Sequence, residues 1–573
     1  MRVSPTRTRL VAGLASILAA SAIGIASAQV GPPIRLAPGA SLPPAPPAAA
    51  AQAVPDQLPP PRPSQDVTVD QLPPPNVDAQ GVLGPNDRPL PADLWQGTPL
   101  DDVKALMPKI RPATSATLQD LAYRLLASPA TPPDAGDAPA GALLAYRAER
   151  LTALGRPDAA LGLLQSIPSP GEDVSRAIVD LAFLSGDTRT ACATAHARDP
   201  AWQNPYWDQA NVTCQALDGK ADDTQLGLDM LREAKVKDDG FSALVLKAVG
   251  IDAKLPDSLP TPTTMSLVLL QKAGQPLPKR ALDAPPAIQR AVALGDGFPP
   301  DQRLAAAEKA AAYGAISPER LAEMYLATDL NDDERQTPLT RAKAAGGAHG
   351  RAILFRAAHD AGQLVAKGNF LVSFLSDSKS ELFPALLRAA GPMLVEVPAT
   401  EDLKSVAPDF ARALYALDQP RQAAAWLEVA TPEAQAALLP LAHVVDDASA
   451  PAWPNQSVTD LAGGRKDAAA TRRATAAAQL LTAEGVILPD QMLLPLADDG
   501  PATPTSGPGA QLATAAMSNH LGITLLALFA TVGDQGIGAQ PVLAAEAVAA
   551  LRQVGLADDA HRLAIDIAIA EGI

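Results

Sequence analysis

Cys192 and Cys214 are the only cysteines among 573 residues. They bracket a short stretch, TACATAHARDPAWQNPYWDQANVTC, that also holds Trp202, Tyr206 and Trp207. Two thiols can serve redox catalysis, metal ligation or a structural cross-link. The redox reading needs the two sulfurs in one C-x-x-C turn, which this spacing excludes. A zinc site needs further ligands, and His196 is the only histidine in the segment. A disulfide needs neither, only two backbone positions that the fold brings level.

The rest of the chain offers little to a chemist. No G-x-S-x-G elbow, H-E-x-x-H helix or G-x-x-x-x-G-K-[ST] loop is present, so the expectation is a non-enzyme with no catalytic residue, no metal and no cofactor. The six histidines are scattered. His443 with Asp446 and Asp447 reads as a solvated loop. Asp329–Thr340 begins like a calcium loop, but Glu334 stands where glycine is needed and Thr340 where a bidentate glutamate is needed, so it reads as an acidic inter-helix loop. Gly533–Gln540 lacks the third glycine of a dinucleotide fingerprint.

The elements that position the cysteines are helices. Apolar residues make up 47% of the chain while aromatics make up 3%, so alanine and leucine dominate, a composition that suits closely packed helices and is poor in strand formers. A phrase of two amphipathic helices around a tight turn recurs, with turn residues at Gly155, Gly186, Gly219, Asp418 and Gly555. Glycine suits the left-handed position that ends a helix, and a proline or acidic residue then opens the next. Five residues past four of these turns stands alanine (Ala160, Ala191, Ala423, Ala560), a side chain small enough to let two helices approach. The period and alanine positions resemble tetratricopeptide repeats, the helical hairpins that stack into a superhelix. The implied fold is an all-α, TPR-like α-solenoid of antiparallel helical hairpins.

Ahead of the helices the chain changes character twice. Arg2, Arg7 and Arg9 precede an apolar run from Leu10 to Ile25, and Ala26-Ser27-Ala28 precedes Gln29 in the pattern of a cleaved export signal. From Gln29 to Ala92, 18 of 64 residues are proline, and DQLPPP occurs twice, which reads as a disordered, semi-stiff tether. The expected organisation is a signal peptide over 1–28, a proline-rich linker over 29–92 and TPR-like repeats over 93–445. Helices with looser proline- and glycine-rich loops follow over 446–510, then a C-terminal hairpin unit over 511–573. No later stretch is apolar for long enough to span a bilayer, so after signal removal no membrane span is expected.

The formal charge of −16 disfavours nucleic acid and anionic lipid as partners, and signal cleavage would remove three arginines and no acid. An export signal points to the periplasm or the outside of a bacterium, where a disulfide can persist. Taken with DLWQGT (Asp93–Thr98), ARALYAL and the closing ALRQVGLADDAHRLAIDIAIAEG, the pattern resembles a group of exported, alanine-rich helical-repeat proteins of alphaproteobacteria, some labelled antifreeze-like. AAATRRATAAA (Ala468–Ala478) lacks the flat repeating face that such a label would need. What TPR-like solenoids do, and hence what the resemblance implies, is hold another protein or peptide. The expected role is a scaffold or interaction module of the envelope. The alternatives are the solenoid body of a cell-wall-active enzyme similar to a lytic transglycosylase, and a periplasmic motility or assembly factor.

The hairpin reading places Cys192 in the second helix of one hairpin and Cys214 in the first helix of the next. The connector Asp199–Tyr206 is centred almost midway between them. Both cysteines then sit roughly 10–12 Å from the turn at the α-helical rise, so they are level and a disulfide is expected. Trp202, Tyr206 and Trp207 in and beside the connector are the best candidates for a partner-binding surface. The other reading of these rings is that they seal the join between repeats.

Overall fold

The computed structural model describes residues 76–133, 139–256, 262–278, 283–377, 380–453, 468–488, 507–532 and 541–573. The signal-cleavage residues Ala26, Ala28 and Gln29, the tether up to residue 75 and the Gly533–Gln540 segment lie outside them. Among the described residues the regular structure is 26 α-helices with a few short 3-10 turns and no strand. The helices, numbered α1–α26 in chain order, pack mainly as sequence-adjacent antiparallel pairs.

The hairpins are built as the repeated phrase requires. Gly155, between α3 (Ala142–Ala153) and α4 (Pro157–Gln165), has a left-handed backbone. So do Gly186, between α5 (Glu172–Ser185) and α6 (Thr188–His196), and Gly219, between α7 (Tyr206–Leu217) and α8 (Ala221–Glu233). Asp418, between α19 (Ala407–Ala416) and α20 (Pro420–Val429), adopts φ 56° without being glycine. Gly555 closes the last pair, α25 (Pro541–Gln553) and α26 (Ala557–Glu571). Ala160, Ala191, Ala423 and Ala560 are all fully buried, and so is Thr224, five residues past Gly219. One further copy of the rule hides from a search for glycine. Asn519 is left-handed between α23 (Pro508–Met517) and α24 (Leu521–Val532), and Thr524, five residues on, is fully buried. Asparagine tolerates this conformation because its short polar side chain can bond locally.

Folded structure starts earlier than residue 93. The Asp78 carboxylate accepts from the backbone N–H groups of Gly141 (2.9 Å) and Leu144 (3.0 Å), capping α3. The fully buried Arg147 then donates to the carbonyls of Gln80 (2.7 Å), Leu126 (2.7 Å) and Ser128 (2.8 Å). Leu83 and Leu90 are buried as well. Proline content up to Pro91 hides this, because the segment is fixed by capping and by one arginine rather than by its own periodicity.

The DLWQGT stretch is a clamp between the beginning and the end of the helical unit. Leu94 and Trp95 are buried, and the Leu94 carbonyl accepts from Gly522 N at 2.9 Å. A β-carbon on Gly522 would lie 2.7 Å from that carbonyl oxygen, so only glycine permits the approach. The helix α2 (Ala116–Ala127) completes the closure. Its Gln119 donates to the Ala312 carbonyl (2.9 Å), and its Arg124 pairs with Asp559 on α26. An open solenoid would leave its first and last repeats apart; within the unit Pro73–Ile573 they pack together.

Two loop readings are corrected by local chemistry. Asp329–Thr340 is largely helical: Asn331 and Glu334 form a reciprocal capping box at the start of Asp332–Gln336, and Pro338 opens the next helix. His443 is 4% exposed near the end of Pro432–Asp446. Its ring nitrogens face Asp447 Oδ1 (2.6 Å) and the Pro451 carbonyl (2.9 Å), and the ring stacks on Trp453 at 3.9 Å. Burial against an indole and two oxygen partners explain this histidine's position.

Candidate functional site

Cys192 on α6 and Cys214 on α7 form a disulfide, with sulfurs 1.99 Å and Cα atoms 5.7 Å apart. The bond ties the second helix of one hairpin to the first helix of the next. The rings beside it do the same work. Trp207 is fully buried, and its Nε1–H donates to Glu172 Oε1 (3.0 Å) at the first turn of α5. Trp202 stacks on it with centroids 5.2 Å apart, and Tyr206 meets it edge-on at 5.4 Å.

Tyr206 continues the seal outward. Its hydroxyl donates to Asp180 Oδ1 on α5 (3.0 Å), and the Arg176 guanidinium lies 4.8 Å over its ring. Thr264, the first residue of the helix Thr264–Lys272, also donates to Asp180. Burial raises the Asp180 carboxyl against the pull of these two hydrogen bonds. Burial and the Asp180 charge push the Tyr206 phenol far above its ordinary value. The three aromatics therefore seal a joint of three helices and do not present an open docking platform.

A large cavity lies elsewhere, between early and late helices of the unit Pro73–Ile573. Its volume is about 840 Å³, and its walls come from five helices: α2, α18 (Phe383–Glu396), α19, α22 (Ala468–Ala483) and α26. Each of the last four sends in one arginine: Arg388, Arg412, Arg473 and Arg562 respectively. Phe383, Leu387, Leu417, Ile565 and Ile569 supply apolar wall between them.

The four carboxylates on the wall are already engaged. Asp566 accepts from Ser115 Oγ (2.5 Å) and from the Thr117 backbone N–H (3.0 Å), sitting at the N-terminal end of α2 where a negative charge is favoured. Glu571 receives two bonds of 3.1 Å from Arg472. Glu381 accepts from the Tyr313 hydroxyl (2.9 Å), and Asp418 faces His561 at 3.8 Å.

The arginines are not matched in the same way. Arg562 pairs with Asp559. Arg388 donates only to the Pro384 carbonyl of its own helix (3.0 Å) and forms no ion pair with a described residue. Arg412 and Arg473 form neither an ion pair nor a side-chain hydrogen bond with a described residue; Asp409 and Arg473 act on Arg412 only through space. Burial depresses both Arg388 and Arg412, and the neighbouring Arg473 charge lowers Arg412 further. Three half-buried guanidinium groups thus line one cleft with donors to spare.

These arginines left a faint trace in the sequence. Arg388 and Arg412 are single cations in alanine- and leucine-rich helices (LLRAAG, FARALYA), whereas Arg473 follows Arg472 (RRATAAA) and Arg562 follows His561 (HRLAI). Nothing in any one helix shows that the four converge. A smaller cavity of about 290 Å³ also holds Arg156, Arg290 and Arg320, but there Arg156 lies 5.0 Å over the Tyr123 ring and Arg290 pairs with Asp158.

Among the described residues the protein is all-α, built of packed helical hairpins pinned by one disulfide and by contacts between its first and last described helices. Compared with known proteins, the chain matches no family model, no curated protein and no solved structure.

Proposed function

We propose that this is a non-enzymatic scaffold, exported to the periplasm or cell surface, that holds a partner protein of the envelope in the cleft between its first and last helices. The observation that carries this reading is the cleft itself: an open space of about 840 Å³, within the range of binding cavities, walled by helices from both ends of the unit and lined by four arginines, three of which form no ion pair with a described residue. A repeat body suits this role, because stacking hairpins builds a wide surface from short local elements. The N-terminal leader and proline-rich stretch fit export and a spacer that holds the body away from a surface.

The test is recovery of partners from a periplasmic extract by the mature chain, by the chain lacking residues 29–75, and by Ala570→Trp. Ala570 is exposed on the cleft wall, so an indole there blocks the space without entering the core. A protein recovered by the first two and lost with Ala570→Trp supports the scaffold. Recovery of no protein, with hydrolysis of cell-wall material by the purified chain, refutes it.

A further inference from the structure

Resting on the scaffold reading, we infer that the cleft recognises a peptide segment bearing carboxylates spaced among apolar side chains, with Arg412 and Arg473 as the principal contacts and Arg388 beside them. A half-buried guanidinium has lost water and, in Arg412, Arg473 and Arg388, has gained no direct ion pair with a described carboxylate in return; Asp409 and Asp566 act on Arg412 and Arg388 only through space. Such a group is costly in the empty protein and is stabilised when an anion arrives. Guanidinium groups present flat pairs of N–H donors that match a carboxylate at two points. The chain places these groups on three separate helices, α18, α19 and α22, so the arrangement is made by the tertiary fold and is not a charged run along one surface helix.

The wall composition selects among anions. Four carboxylates (Glu381, Asp418, Asp566 and Glu571) share the cleft with the four arginines. A compact, multiply charged ion such as phosphate would feel all of them at once and would leave the apolar wall uncovered. A peptide spreads its charges. Its carboxylates can meet the unmatched arginines while its apolar side chains cover Phe383, Leu417 and Ile569. The unequal commitment of the wall groups matters here: Asp566, Glu571 and Glu381 each accept hydrogen bonds within the protein, whereas Arg412 and Arg473 make none with a described residue.

The probe is a short fluorescein-labelled peptide of glutamates separated by alanine and leucine, titrated against the mature chain and read by anisotropy. Its counterpart with glutamine for glutamate is expected to bind about tenfold or more weakly, the loss of a charge-assisted contact. Arg412→Gln/Arg473→Gln should weaken the glutamate peptide by a similar factor, and Arg412→Lys/Arg473→Lys should fall between, keeping charge without the flat donor pair. Rising salt should weaken binding in step. The glutamine variant should melt at or above the wild-type temperature, because it removes unmatched charge, and that melt separates lost binding from lost fold.

Equal binding of the two peptides, or full binding by the glutamine variant, overturns the inference. So does inorganic phosphate that displaces the peptide at comparable concentration in low salt, which would make the cleft a small-anion site. An envelope protein recovered equally by wild type and by Arg412→Gln/Arg473→Gln leaves the scaffold standing and sinks this inference alone. Peptide binding with no recoverable partner does the reverse.

Discussion

Arg124 and Asp559, 435 residues apart in sequence, meet in a buried two-point contact, with one guanidinium nitrogen 2.9 and 3.0 Å from the two carboxylate oxygens. Their side chains are 7% and 5% exposed, and the Arg124 Nε–H also holds the Arg88 carbonyl at 2.9 Å. This pair bolts α2 to α26 and so sets one boundary of the cleft. Asp559→Ala leaves a buried guanidinium short of its partner and should cost about 3–5 kcal/mol in urea unfolding. Arg124→Met/Asp559→Leu should recover most of that loss, since a well-packed apolar pair can replace a buried ion pair. A single variant within about 1 kcal/mol of wild type, the worth of a surface ion pair, would show that the ends are held by something else.

The disulfide closes a loop with a sequence separation of 22 residues. On the chain-entropy account a loop of this size stabilises by about 3 kcal/mol. Cys192→Ala/Cys214→Ala, or reduction of the wild type, should lower the unfolding midpoint accordingly. Protein made in an oxidising compartment and then denatured without reductant should label no free thiol. Two labelled thiols would refute the pairing.

Trp207 is a joint residue, and its removal should be felt as lost stability. Trp207→Ala empties a fully buried site and should cost about 3–5 kcal/mol. Trp207→Phe keeps a ring against Trp202 but forfeits the bond to Glu172, so it should cost less, about 1.5–3 kcal/mol. Denaturant melts of both variants check the order; a Trp207→Ala protein as stable as wild type would return the ring to the list of docking residues.

The boundary of the folded part can be tested by truncation. Burial lowers the Arg147 guanidinium to about 10, and its charge is tolerated because carbonyls of Asp78, Gln80, Leu126 and Ser128 surround it. A chain that starts at residue 76 should melt with the full mature protein. One that starts at residue 93 loses Asp78 and Gln80 and should be weaker by about 3–5 kcal/mol or fail to fold. Equal melts for the two truncations would contradict this anchoring role.

One histidine links stability to pH. The hydrogen bond from His561 on α26 to Glu484 raises its value above the ordinary 6.5, with the Glu484 and Asp418 charges adding to the rise against burial. A histidine raised on folding contributes stability that is complete below its unfolded value and is lost as pH climbs through its folded value. The advantage of wild type over His561→Gln should therefore be fully present below the ordinary 6.5 and shrink as pH rises above it. An advantage that grows with pH would mean the ring is held neutral.

The hairpins were legible because their causes are local. A left-handed turn residue followed five positions later by a small buried residue is written into each phrase, from Gly155 and Ala160 to Gly555 and Ala560. The cysteine pairing was legible for the same reason: both cysteines are close in sequence to one turn, and helix geometry carries them to the same height. The order of residues 76–92 is not legible locally because it depends on Arg147, a residue far along the chain. The aromatic connector gave its residue types but not their direction, since a rotation of half a turn decides whether an indole faces water or α5.

The sequence by itself determined that the described part of the chain is helical, where the hairpins at Gly155, Gly186, Gly219, Asp418 and Gly555 turn, and which two cysteines pair. Only the tertiary structure decided that the first and last described helices meet, and that Arg388, Arg412 and Arg473 line one cleft with no ion pair to a described carboxylate. The physical reason is range. Helix ends, turns and neighbouring pairs follow from interactions within a few tens of residues, while the cleft depends on contacts such as Ser115 with Asp566, whose energy no local window of sequence contains.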